Sequence, residues 1–380
     1  MTSISDAPDN VGGGAVMADQ SVGRTARTAR DEQRKRIAAY GAAAAGACAA
    51  ALAFGLWLGG IWPQSQLAQM LNADSFTAWG LPVSRLSVDL CAIGTVGMLI
   101  TSILLPRENG ALSDAAQRCL RSASRLALVW AAAAVAMLLF SWSDVTGLAV
   151  AKLPFSELFA AGNASFPEAT SYLFAGALAM IIGVAAAVTE SRRGAVILLL
   201  LTGYNLLPLT TAGHAGHSTV IGLFVTVHVT ALALWVGGLA GLLIHVRPSL
   251  ERLAITVPRF SRLALACYVS VVASGTTVAW LNLGALSELW ESRYGLLLMC
   301  KATALTILGT FGWWHRRRTI RAITKKRDRR AFVRLAAGEV VVMAATVALG
   351  VSLSRTPTPA TTNDMQPHAA AAHYIQAQTH

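Results

Sequence analysis

Runs of about twenty apolar residues recur along this chain, separated by short connections, and they leave few folds open to it. A run of that length spans the hydrocarbon core of a bilayer as a helix. Within lipid the backbone polar groups must be satisfied inside the segment, which selects helices. Only 13% of the 380 residues are charged and 54% are hydrophobic, too few charges to coat a soluble domain of this size. The expected fold is therefore all-α, a polytopic bundle of about nine transmembrane helices.

The nine expected spans are Ile37–Trp62, Leu86–Leu105, Leu126–Trp142, Ser171–Thr189, Ala195–Thr211, Ser218–His245, Leu263–Leu283, Tyr294–Trp314 and Val333–Ser352. Residues 1–23 are polar and Gly-rich and read as disordered rather than as a signal peptide. Arg24, Arg27, Arg30, Arg34, Lys35 and Arg36 follow, directly before the first span, and place the N-terminus in the cytoplasm. Every second connection then falls inside. Those connections hold Arg107, Arg118, Arg121 and Arg125; Arg192 and Arg193; Arg247, Arg252, Arg259 and Arg262; and the run from His315 to Arg330. The remaining connections are poor in basic residues. Trp79 and Pro82 are assigned to an outer loop, and residues 143–170 to an outer loop with an interfacial or re-entrant turn. Nine crossings put the C-terminus outside. The domain division is 1–36, a basic cytoplasmic tail; 37–212, the N-terminal helices; 213–354, a second membrane region; and 355–380, an outer tail.

The net charge of +12 does not signal nucleic acid, because the basic residues gather at span ends. The lipid bilayer is the first expected partner. Five cysteines, Cys48, Cys91, Cys119, Cys267 and Cys300, form no CxxC pair, and a disulfide framework is not expected. No phosphate-binding GxxxxGK[ST] motif is present and no catalytic constellation stands out, so the chain is not read as an enzyme.

Few side chains remain to carry chemistry. His214 and His217 lie in the turn Thr211-Ala212-Gly213-His214-Ala215-Gly216-His217, assigned to the outer face. His228 lies ten residues past Ser218, about 15 Å deeper at 1.5 Å per residue. The histidines suggest a capture site followed by a deeper one, and imidazole suits Cu, Zn, Fe and Ni. His228 equally fits a helix–helix hydrogen bond. Met299 and Cys300, with Cys91 and Cys267, offer soft sulfur, which favours Cu(I) but also fills apolar space. Met365, His368, His373 and His380 of the tail are secondary metal candidates or scattered residues of a disordered end. Asp89, Lys301 and Glu339 place charge inside spans, which is costly in lipid and turns such residues toward the bundle interior. Trp235 lies seven residues past His228 on the same face, and Gly237 and Gly238 allow close helix approach. A b-type haem is not expected, since His228 has only His245, near an inner end, as a companion within the spans.

The run His228-Val229-Thr230-Ala231-Leu232-Ala233-Leu234-Trp235-Val236-Gly237-Gly238-Leu239 resembles the HxxAxxxWxGGL helix of the bacterial CopD/PcoD/YcnJ copper-resistance membrane proteins. The likeness continues through Arg259-Phe260-Ser261, Ser274-Gly275, Tyr294-Gly295, Lys301 and Glu339, covering residues 210–354. The layout also resembles the CopD-like half of actinobacterial proteins fused to a CtaG-like oxidase-assembly part. The resemblance implies copper as the ion, His228 as an intramembrane copper ligand, and Trp235, Gly237 and Gly238 as its packing support. It implies copper transport across the bacterial inner (plasma) membrane, with a periplasmic carrier of the CopC type as partner. An assembly factor supplying copper to a respiratory oxidase on the outer face, working with cytochrome oxidase assembly components, is the alternative. It assigns no role to Lys301 or Glu339.

Overall fold

A computed structural model describes residues 38–39, 41–62, 74–108, 111–154, 168–211, 219–246, 250–283, 285–319 and 326–358. Its helices follow the apolar runs. They are α1 (Gly41–Leu58), α2 (Ser75–Leu104), α3 (Asp114–Thr146), α4 (Glu168–Val188) and α5 (Arg192–Thr211). A long α6 begins at Thr219 and ends at Val246; then come α7 (Leu250–Asn282), the short α8 (Glu288–Glu291), α9 (Arg293–Thr319) and α10 (Lys326–Arg355). Eight of these are long and apolar enough to cross a membrane. The fold is an all-α, polytopic transmembrane bundle. A 20-residue helix, α5, occupies the place of the fifth expected span but is not among those eight.

Three connections expected to be loops are largely helical. Helix α2 starts at Ser75, so Trp79 and Pro82 belong to it and not to an outer loop. Asp74, in extended backbone, caps it by accepting the Thr77 N–H at 2.7 Å. The added turns are covered by the far end of α3. Gly80 lies against the Phe140 ring, and the hydroxyls of Thr77 and Ser143 hydrogen-bond at 2.6 Å. Local turn residues lost to tertiary packing. Asp74→Ala removes the cap and is expected to cost about 1 kcal/mol, read as a small fall in the melting temperature of the purified protein.

The basic segment after α2 is likewise a two-residue hairpin, Arg107–Glu108 paired antiparallel with Ala111–Leu112, followed at Asp114 by α3. Arg118, Arg121 and Arg125 therefore stand on α3. Helix α7 begins at Leu250 and carries Arg252, Arg259 and Arg262. Within 143–170, α3 continues to Thr146, Gly147 closes it in the left-handed conformation (φ 68°), and a 3-10 turn follows at Val150–Lys152. Residues 155–167, where the re-entrant turn would fall, lie outside the described residues. So do residues 1–37, where the N-terminal tail was expected, and the tail beyond Thr358.

Side-chain contacts fix which helix ends meet. At one end Arg252 donates to Glu108 at 2.9 Å, Arg259 donates to the Leu104 carbonyl at 3.1 Å, and Ser122 meets His245 at 3.0 Å. At the other, Ser352 donates to the Leu52 carbonyl at 3.3 Å, Thr356 lies on Gly59, and Arg293 lies on Gly60. The first end gathers the arginines of the expected inner connections. Exposed tryptophans mark both levels, with Trp57, Trp280 and Trp290 toward one and Trp313 and Trp314 toward the other. Such rings prefer the membrane–water boundary.

At the centre, α2 and α6 touch backbone to backbone. A methyl at Gly97 would fall on the main chain of Gly237, one at Gly237 on the Ile93 carbonyl, and one at Gly241 on the Thr101 hydroxyl. Small residues at spacing four let helices approach this closely in a membrane. Gly237 ends a π-helical turn, Ala233–Gly237, and a second π turn, Leu242–Val246, follows after Gly238–Gly241. These wider turns interrupt α6 where it crosses α2.

Candidate functional site

His228 sits eight residues past Val220 on α6, about 12 Å into the span. Its neighbour is α7. Nδ1 lies 3.1 Å from the Ser274 hydroxyl. Ser274 in turn donates its proton to the carbonyl of Ser270, one turn back. A hydroxyl has one proton to give. With that proton directed at Ser270, the Ser274 oxygen is an acceptor, and Nδ1 carries the hydrogen of the imidazole. Nε2 then bears the lone pair. Fixing one ring nitrogen as a donor is how proteins present the other to a metal. His228 thus makes a helix–helix hydrogen bond and keeps a ligating nitrogen.

Gly275 makes room for the ring. A methyl there would stand 3.1 Å from Cε1 and 3.3 Å from Nδ1 of His228. Trp235, buried, stacks edge-on against Tyr268 of α7 with ring centroids 5.5 Å apart at 85°. Gly238 lies against Phe260, also on α7. One face of α6 therefore holds His228 and Trp235 against α7, while Gly237 and Gly241 bind α6 to α2.

A charged group lies beside this contact. Lys301 of α9 projects next to Gly350 of α10, where a methyl would be 3.4 Å from Nζ. Its charge acts on His228 and on Asp89 of α2. Asp89 is paired within its own helix to Arg85, Nε to Oδ1 at 3.5 Å. Asp89 lies fourteen residues past Ser75 and fifteen before Leu104, midway along α2. Among the described residues no carboxylate comes within 4.0 Å of Lys301. Glu339 is half-buried on α10 and lies eleven residues before Gly350, about 16 Å nearer the basic end. Lys301 has Asp89, not Glu339, as its electrostatic counterpart.

The other predicted residues are not brought to His228. Met299 is exposed on α9, and Cys300 is half-buried beside it. Cys91 and Cys267 are buried within apolar clusters. His214, His217, Met365, His368 and His373 lie outside the described residues. Among the described residues, no three of His, Cys, Asp and Glu gather in a group fit to hold a metal ion. Arg85 and Gly350 are parts of the site that motif reading had no reason to place there. Ser274-Gly275 carried a signal, as part of the family-like series.

Residues 254–353 match the family model described as copper resistance protein D, CopD. Over those residues the chain is similar to the CopD family. That segment runs from α7 to the end of α10 and supplies Ser274, Gly275, Lys301 and Gly350. His228 and Asp89 come from helices before it. No curated protein and no solved structure matches the chain. The site is thus assembled between the CopD segment and the helices that precede it.

Proposed function

We propose that this protein is a non-enzymatic copper transporter of the bacterial plasma membrane, with its N-terminus in the cytoplasm. Copper is the substrate. It is captured at the outer-face histidines His214 and His217, delivered there by a CopC-like carrier, and passed to His228 inside the membrane. The observation that carries this reading is the hydrogen-bonded state of His228. A half-buried imidazole about a third of the way along its span, its Nδ1 held by Ser274 and its Nε2 left to ligate, adjoins a segment similar to the CopD family. The gathering of arginines at one end of the bundle supports the orientation.

Substituting His228→Ala tests it. Cellular copper accumulation is expected to fall several-fold while the protein remains folded in the membrane. Unchanged copper content, with equal amounts of protein present, would sink the reading.

A further inference from the structure

We infer that Tyr268 is the barrier that closes the copper path below His228, and that two arginine contacts between α7 and the end of α2 hold it shut. The inference rests on the transporter reading.

Helix α7 holds His228 and carries bulky rings beneath it. Ser274, 3.1 Å from Nδ1, is six residues beyond Tyr268. Tyr268 therefore lies about 9 Å nearer the basic end of the bundle, at 1.5 Å per residue. There its ring meets Trp235 of α6 edge-on, with centroids 5.5 Å apart at 85°. The phenol end of the same side chain lies on Gly309 of α9, where an added methyl would stand 2.7 Å from Cζ. Tyr268 thus bridges the space between α6 and α9. About two turns further toward the basic end, Phe260 of α7 lies on Gly238 of α6. An ion leaving Nε2 of His228 between α6 and α7 meets an indole, a phenol and a phenyl ring in turn. Hydrophobic constrictions of this kind gate the passage of ions.

Two of the three rings ride on α7, and the hold of α7 on α2 is weak. Helix α6 is joined to α2 backbone to backbone, at Gly97 and Gly237. Helix α7 reaches the end of α2 through the tips of long side chains. Arg252 donates to Glu108 at 2.9 Å, and Arg259 donates to the Leu104 carbonyl at 3.1 Å. Both contacts are exposed, and exposed pairs of this kind contribute little and give way easily. Pro258 stands between the two arginines. It has no N–H for the Ala254 carbonyl, so α7 lacks a helical hydrogen bond where it would bend. When the two contacts part, the inner part of α7 moves off α6 and draws Tyr268 and Phe260 out of the path.

The experiment uses the full-length protein in sealed liposomes that enclose a chromophoric Cu(I) chelator, with Cu(I) supplied outside. Tyr268→Ala is expected to raise the rate of copper entry several-fold, while the purified protein in detergent still binds copper. Tyr268→Phe, which keeps the ring, should stay near the wild-type rate. Glu108→Lys sets two cations face to face and should also raise entry. Combining it with Arg252→Glu restores the pair and should bring the rate back down. Tyr268→Ala together with His228→Ala should lose the gain, because ligand and barrier share one path. Damage to the fold lowers entry and binding together and cannot produce the gain. Entry at or below the wild-type rate in Tyr268→Ala, with copper still bound, overturns the inference. A gain that survives His228→Ala is a leak around the path and overturns it too. If Tyr268→Ala does not fold, Glu108→Lys against the exchanged pair decides it. Equal entry in wild type and His228→Ala refutes the transporter reading itself. Entry that depends on His228 but does not rise in Tyr268→Ala refutes only the barrier.

Discussion

Gly97→Leu is expected to abolish the folded protein, seen as loss of a monodisperse peak after detergent extraction and of a cooperative melting transition. The site has no slack. Even a methyl at Gly97 would overlap the backbone of Gly237, and a main chain cannot rotate away as a side chain can. Thr101 seals the same contact. Its hydroxyl donates to the Gly97 carbonyl at 2.7 Å and lies 3.4 Å from the Gly238 carbonyl. Relief requires α2 and α6 to separate along their length, which uncovers Val96, Leu99, Val236 and Leu239 in the core between them. Overpacking by a methylene or two costs about 1–3 kcal/mol where neighbours can adjust. Here four side-chain carbons meet a backbone, and the cost exceeds that range. Gly97→Ala, with the same first atom, is expected to lower the melting temperature while leaving some folded protein. Wild-type yield and melting in Gly97→Leu would show that the two helices do not meet at this point.

Gly275→Leu is expected to reduce copper bound by the purified protein at least tenfold while the bundle still folds. The physical difference from Gly97 is the neighbour. The atoms facing Gly275 belong to the His228 ring, at 3.1 and 3.3 Å, and not to a main chain. A ring can be displaced by rotating about χ1. Displacement breaks the Nδ1 bond to Ser274 and with it the presentation of Nε2. The variant should therefore behave like His228→Ala in metal analysis, yet melt near wild type. Gly275→Ala is the graded control. Its methyl is tight by a few tenths of an ångström, and a partial loss is expected. Full copper binding in Gly275→Leu would mean that the Ser274-held orientation does not matter for ligation.

Both expectations depend on pairs that the chain order keeps far apart. Length and polarity of the apolar runs were enough for an all-α membrane bundle, because a bilayer accepts little else from such a sequence. The Trp235-Gly237-Gly238 run on α6 was legible too, since small residues on an apolar helix point to close packing. Its partner was not. Gly97 and Thr101 lie in an unremarkable apolar run, and no local feature pairs them with Gly237 and Gly241. Helix ends were misjudged where local and tertiary signals conflict. The stretch around Trp79 and Pro82 carries turn residues, yet the far end of α3 covers it as helix. Arg118 through Arg125 and Arg252 through Arg262 read as loops because charge ends an apolar run, although helices extend past the membrane at no such cost.

The candidate site divides the same way. Intramembrane His228, Asp89 and Lys301 announce themselves in the sequence, because charge and imidazole are rare within spans. Which of them act on one another depends on helix rotation and depth. Only the tertiary structure brings Lys301 toward Asp89 and points Nδ1 of His228 at Ser274, whereas the Arg85–Asp89 pair lies one turn apart on a single helix. By itself the sequence determined that the chain crosses a bilayer as helices, since hydrophobic length is a local property. The tertiary structure decided which faces meet, since packing and electrostatics depend on distances between residues that the chain does not join.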